Sequence, residues 1–231
     1  YNTHLNGLTA NLGVNESFLA SSQLRSSVVS HAENLGYYPR SRTASSATVT
    51  LSLSTTDTTT SSVTLDKYST FTGSSDDVSY TFQTLEDYTA TNDGSGNFSF
   101  KTSAGSTSIP IKEGSLKTKT FFVGETNEDQ VYVIPDVNMD TSTMKVDVFD
   151  TSTSSSFNSF VNVNNTVRID STSRVYIVRE IPNGYYEVIF SDGNTLGLAP
   201  KAGNKIVITY LSSNAEAANE ISTFEPSATV S

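Results

Sequence analysis

The chain has 231 residues, 35% of them apolar, no cysteine and a formal net charge of -10. The missing cysteine excludes disulfides, thiolate zinc sites and cysteine nucleophiles. The negative field repels phosphate backbones, so no nucleic-acid partner is expected. No apolar run approaches the roughly 18 residues of a membrane span, so no membrane partner is expected either.

The length fits one large β domain or two smaller ones. The first residue is Tyr1 and not Met, which reads as a piece of a longer protein. Arg40 and Arg42 form a local basic exception, read as a solvated face or a protein contact.

The first predicted element is a helix over Glu16–Leu35. Phe18, Leu24, Val28, Ala32 and Leu35 recur at mostly three- and four-residue spacings and give one apolar face. Asn15 is the expected N-cap and Glu16 falls in the first turn, where the helix dipole favours a carboxylate. Gly36 suits the left-handed end of a helix, and Pro39 stops its resumption.

From Ala44 the period becomes two. Ala47, Val49, Leu51 and Leu53 alternate with Thr48, Thr50, Ser52 and Ser54, the pattern of a half-buried strand. Thr55–Ser62 reads as a loop. Strands follow at Val63–Leu65, Val78–Phe82 and Phe98–Phe100, the last preceded by the turn signal Asn92–Asn97. More are expected at Ser108–Ile111, Lys119–Val123, Gln130–Ile134, Met144–Phe149 and Val175–Val178. Pro182-Asn183-Gly184 turns the chain into Tyr185–Phe190, the second arm of a hairpin. Lys205–Leu211 is the last strand, and Ala215–Ile221 suits the start of a helix. Thr151–Asn165, rich in Ser, Thr and Asn, reads as a linker. No repeat of fixed period is present.

The expected fold is therefore mainly β with an N-terminal helix, a β-rich α+β class with antiparallel, sandwich-like sheets. The expected organisation is a helical segment at 1–44, β domains at 45–125 and 126–214, and the start of a C-terminal segment at 215–231.

The candidate chemistry is thin. His4 and His31 are the two histidines, and no G-x-S-x-G elbow accompanies them. Asp192-Gly193-Asn194 starts like a calcium loop, but Leu196 and Gly203 stand where oxygen ligands are needed. Asp76-Asp77 and Glu86-Asp87 are acidic pairs that read as loop corners. The 11 tyrosines mostly alternate with apolar neighbours and read as core or interface. Sequons at Asn15, Asn97 and Asn164 are expected by chance in so Ser/Thr-rich a chain. No catalytic, cofactor-binding or metal site is assigned, and no enzyme activity is expected.

The order of several segments is more informative. Leu24–Tyr37 leads through Pro39-Arg40-Ser41 to Ala44 and Ala47. Ile111-Lys112-Glu113-Gly114 follows, then Ile134-Pro135-Asp136-Val137-Asn138-Met139-Asp140. Tyr186–Gly193 precedes Leu196-Gly197, Pro200–Asn204 and Ile206–Tyr210. In this order they resemble the baseplate J-like family of contractile phage tails, over roughly Asn15 to Asn219. Ser191 stands where the family often has Gly, and so does Asn214. Asn tolerates the left-handed region there better than most residues.

The resemblance implies a structural subunit of a baseplate wedge that joins wedges into a ring by protein–protein contacts. It implies self-association as a dimer, contacts with other wedge proteins, a place in the virion after assembly in the host cytoplasm, and no catalytic residues. The alternative is a receptor-binding or fibre-type β module of a phage tail or surface adhesin.

Overall fold

The computed structural model describes residues 9, 13–37, 39–124, 131–193 and 195–227. The protein is mainly β, with antiparallel sheets and few helices. The chain forms two compact units that interleave in sequence. One holds residues 42–117, 138–143 and 210–231, and the other holds 1–41, 118–137 and 144–209. The expected consecutive domains, 45–125 and 126–214, differ from this because β11 and β15 below each carry residues of both units.

The first of these units is a sandwich. Its strands are β1 (Ser46–Val49), β2 (Ser52–Ser54), β3 (Ser62–Leu65), β4 (Thr70–Ser75), β5 (Val78–Thr84), β6 (Tyr88–Thr91), β7 (Asn97–Ser99) and β8 (Ile109–Glu113). One sheet has the order β1-β8-β5-β4-β16, where β16 is Glu225–Pro226. Two short pairs, β2-β7 and β3-β6, complete the unit. Their alternating apolar residues meet in one core that holds Leu65, Phe71, Phe82, Phe98, Ile109 and Ile111. Phe224, just before β16, packs edge-on against Phe82 at 4.9 Å between ring centroids.

The run 47–54 is extended, as its alternation predicts, but it breaks between β1 and β2 and serves two sheets. β4 and β6 have no counterpart in the sequence reading. Asp76 and Asp77 are the two central residues of the β4–β5 hairpin, with φ of 50° and 63°. Both angles are positive, as a type I′ turn demands. Ala215–Ala218 is a single 3-10 turn and not a longer helix.

The second unit is built on β9 (Ser115–Phe122), β10 (Val131–Ile134), β11 (Met139–Phe149), β12 (Phe157–Asn162), β13 (Val175–Glu180), β14 (Tyr186–Phe190) and β15 (Lys205–Ser212). They form a sheet in the order β10-β14-β13-β12-β11-β15-β9 that curls into a nearly closed barrel. An aromatic chain links the half-buried Phe121 to buried rings: Tyr132 meets Phe121 at 5.2 Å and Phe190 at 5.7 Å, and Phe160 meets Phe190 at 5.2 Å.

The expected linker Thr151–Asn165 is overturned. β12 lies inside it, bonded antiparallel to β11 and parallel to β13. Phe157 and Phe160 supply the apolar contacts that the polar composition hides, and Asn204 Nδ2 and Lys205 Nζ hold the loop carbonyls of Asp150 and Ser152.

The helix is shorter than predicted. Residues 13–16 are helical, the chain then turns, and α1 spans Arg25–Asn34. Asn15 is not its N-cap. Leu24 holds that place without a side-chain bond, and the Glu16 carboxylate accepts the N–H groups of Gln23 and Leu24 from outside the helix. Those bonds, Gln23 first and then Ser27, hold the Glu16 carboxyl below its usual range. Gly36, at φ 76°, ends α1 as expected, with Gly36 N–H bonded to Glu33 O and Tyr37 N–H to Ala32 O. Of the expected apolar face Ala32 is buried and Val28 half-buried, Val29 beside them is buried too, and Phe18, Leu24 and Leu35 are exposed.

Candidate functional site

The quoted segments can be followed in space. In the sandwich unit three of them meet. Glu113, 1% exposed at the end of β8, accepts the Ser213 hydroxyl at 2.7 Å, the Asn214 N–H at 3.0 Å and the Asn214 side-chain amide at 2.9 Å. Asp140, fully buried on β11, accepts the N–H groups of Ala44 and Ser142, each at 2.9 Å, and the Lys112 ammonium at 3.3 Å. Gly114 follows Glu113 at φ 139°, where an added Cβ would sit 3.0 Å from Ser212 O.

Buried carboxylates need donors, and here three are backbone N–H groups and three are side chains, all near the ends of strands. The network therefore fixes where β8 and β15 stop, where β11 starts and where Ala44 enters. Its oxygens are committed to those bonds, and no nucleophile–base pair is placed there.

Asn214 has φ -83° and is not left-handed; Ala215, at φ 55°, takes that conformation instead. Asn214 contributes through its side-chain amide, which a glycine lacks.

In the barrel unit the other segments also hold turns. Asp192 Oδ1 accepts Thr195 N–H at 3.0 Å and the Ser191 hydroxyl at 3.2 Å, so Ser191 is built into the turn. Asn204 Oδ1 accepts Lys201 N–H at 2.7 Å. Arg25 on α1 grips Glu180 on β13 with two bonds, Nε–Oε1 at 2.7 Å and Nη2–Oε2 at 2.6 Å. Glu180 first, through that hydrogen bond, raises the Arg25 pKa.

The remaining sequence candidates are not brought together. His31 Nε2 lies 2.8 Å from the carbonyl of Glu16, beside Ser26, Ser27 and Ser30. His4 and Asn194 lie outside the described residues. Among the described residues no group of three or more metal-ligating side chains is placed to hold an ion, and no helix is long and apolar enough to cross a membrane. Tyr88, Tyr132, Tyr176, Tyr186 and Tyr210 are buried, and burial pushes the Tyr88 and Tyr176 hydroxyls up.

Two features of the barrel unit suit protein contact. Val14, Phe18 and Leu19 before α1 and Leu24 and Leu35 at its two caps are exposed, with Leu35 75% exposed. Elsewhere a half-open cavity of about 270 Å³ is lined by Val163, Ile169, Val175, Ile177, Ile189 and Leu196. That is at the small end for ligand pockets and suits an inserted apolar side chain.

The fold and these features define a mainly β protein whose quoted segments set backbone geometry and whose exposed apolar groups suit protein contact. No family model matches the chain, and no curated protein matches it.

Proposed function

We propose that the chain is a structural subunit of a contractile phage tail baseplate wedge, most similar to the large wedge subunit of T-even-type phages. It joins wedges into the baseplate ring through protein–protein contacts. The observation that carries this reading is the meeting of the Ile111–Gly114 and Asn138–Asp140 segments with Ser213-Asn214 in one hydrogen-bond network. Segments whose order prompted the resemblance share one architectural task there, which is the work of a scaffold and not of a reaction centre. In this reading the protein is not an enzyme, needs no cofactor or metal, binds neither nucleic acid nor membrane, and resides in the virion's tail baseplate after assembly in the host cytoplasm.

Its partners are other wedge proteins and a second copy. A charge of -10 drives copies apart at low salt, so the dimer rests on apolar area such as Leu24 and Leu35. Sedimentation across protein and salt concentration tests this. The dimer should persist or tighten as salt screens the repulsion, and Leu24→Lys with Leu35→Lys should weaken it. A strict monomer at high protein and high salt would overturn self-association, and loss of the dimer on adding salt would overturn its apolar basis. Imaging of assembled baseplates that lack the chain's density would overturn the wedge assignment.

A further inference from the structure

β4 carries a glycine in mid-strand, and the reason lies on top of it. An added Cβ at Gly73 would sit 2.5 Å from the Ile221 side chain and 3.2 Å from both the Phe224 ring and Thr223 O. Gly73 has no positive φ, so close approach and not conformation asks for glycine here. Residues 221–227 form a strap seated on it. Ile221 and Phe224 pack on the sandwich core, where Phe71 and Phe82 are each 1% exposed.

At the sheet edge Glu225 lies opposite Thr72, Pro226 lies opposite Phe71, and Ser227 N–H bonds Thr70 O at 2.9 Å. Bonding residues alternate in an antiparallel pair, so Glu225 and Ser227 face β4. Pro226 faces outward, where a proline guards an edge. Without the strap, Thr70 and Thr72 lose backbone partners and Phe82 loses its cover. The seat is complete only when a strap fills it.

The anchor and the hinge of the strap are distinct. The Ser45 hydroxyl lies 2.6 Å from Ala215 O and 2.7 Å from Asn219 Oδ1, and Ala218 is buried, so the 3-10 turn before the strap is held fast. Glu220 follows at φ 73°, a left-handed conformation that suits glycine and strains a glutamate. That bend folds the strap back onto its own sheet. An extended Glu220 relieves the strain and sends the strap away.

We propose that residues 221–227 exchange between copies of this chain: the strap of one copy takes the Gly73 seat of another and pairs with its β4. The occupant follows from the closed form, in which this same segment fills the seat, and a second copy carries it unchanged. Closure within one chain prevails in dilute solution, and exchange grows with protein concentration. The contact uses neither Leu24 nor Leu35 and goes beyond the apolar dimer proposed above.

The chain has no cysteine, so single ones can be placed at will. One copy carries Thr72→Cys, and another of different mass carries Glu225→Cys; the two positions are opposite each other at a separation a disulfide spans. After joint incubation at high concentration, mild oxidation should link these unlike chains about tenfold more than it links Glu225→Cys to Thr58→Cys, which lies in an exposed loop. Gly73→Val fills the seat. On the Thr72→Cys chain it should abolish the link, and on the Glu225→Cys chain, which only donates its strap, it should preserve it. Glu220→Gly eases the bend and should lower the link about fivefold. Links no more frequent than those to Thr58→Cys would overturn the exchange. So would a yield indifferent to Glu220→Gly, or equal loss from Gly73→Val on either chain with both chains folded by circular dichroism. Leu24→Lys with Leu35→Lys on both chains should leave the link intact, which separates failure of the exchange from failure of the apolar dimer.

Discussion

Glu113 takes both the backbone N–H and the side-chain amide of Asn214, at 3.0 and 2.9 Å, and so ties the end of β8 to the end of β15. Replacing the carboxylate leaves three donors without their partner, the buried Ser213 hydroxyl and the two part-buried groups of Asn214. Glu113→Ala should cost about 3 kcal/mol or more in denaturant unfolding. Asn214→Gly, which removes one donor and frees the backbone, should cost about 1–2 kcal/mol. Equal stability of either variant and the parent would contradict the anchoring role.

Arg25 offers a second test. Its partner Glu180 has a side chain only 4% exposed, whereas the Arg25 side chain is 58% exposed. Removing a partner from a buried pair costs about 3–5 kcal/mol, and the exposure of Arg25 discounts that. Arg25→Met should therefore cost about 2 kcal/mol, with faster hydrogen exchange across α1. Arg25→Lys keeps the charge but loses the two-bond grip and should recover only part of the loss.

Asp57 fixes a sign for pH dependence. The Thr59 hydroxyl first, then Thr59 N–H and the Thr60 hydroxyl, hold its carboxyl down at about 2, against an ordinary 3.8. A depressed folded-state pKa stabilises above the unfolded value, and that contribution is lost as pH falls through the folded one. Its loss should thus run from about pH 4 down to about pH 2. NMR titration should place the Asp57 midpoint near 2, and Thr59→Ala should move it toward 3.8.

The β4–β5 turn should be improvable. Asp76 and Asp77 both hold positive φ, and two carboxylates sit side by side. Asp77→Gly gives the Asp-Gly pair that type I′ turns favour and relieves the repulsion, so it should stabilise by about 0.5–1 kcal/mol. Thermal denaturation of the variant and the parent decides it, and a lowered melting temperature would refute the turn assignment.

Much of the architecture was legible because strands declare themselves locally. The alternation over 47–54, the Pro182-Asn183-Gly184 turn and the run at 205–211 all reappear as strands and a hairpin. The helix end was legible for the same reason, since Gly36 allows a conformation that few residues accept. The helix start was not. Glu16 can serve α1 from outside only once the intervening turn has folded, and spacing carries no trace of that.

By itself the sequence determined the mainly β class, the main hairpins and the order of segments that prompted the family resemblance, because these depend on side-chain period and on turn residues. Only the tertiary structure decided that Thr151–Asn165 contains a strand, that the two units interleave and that Glu113, Asp140 and Asn214 belong to one network. The physical reason is that a strand's pairing and a buried carboxylate's donors come from residues distant in the chain. Glu113 finds its partners 100 and 101 positions away, beyond the reach of any local pattern.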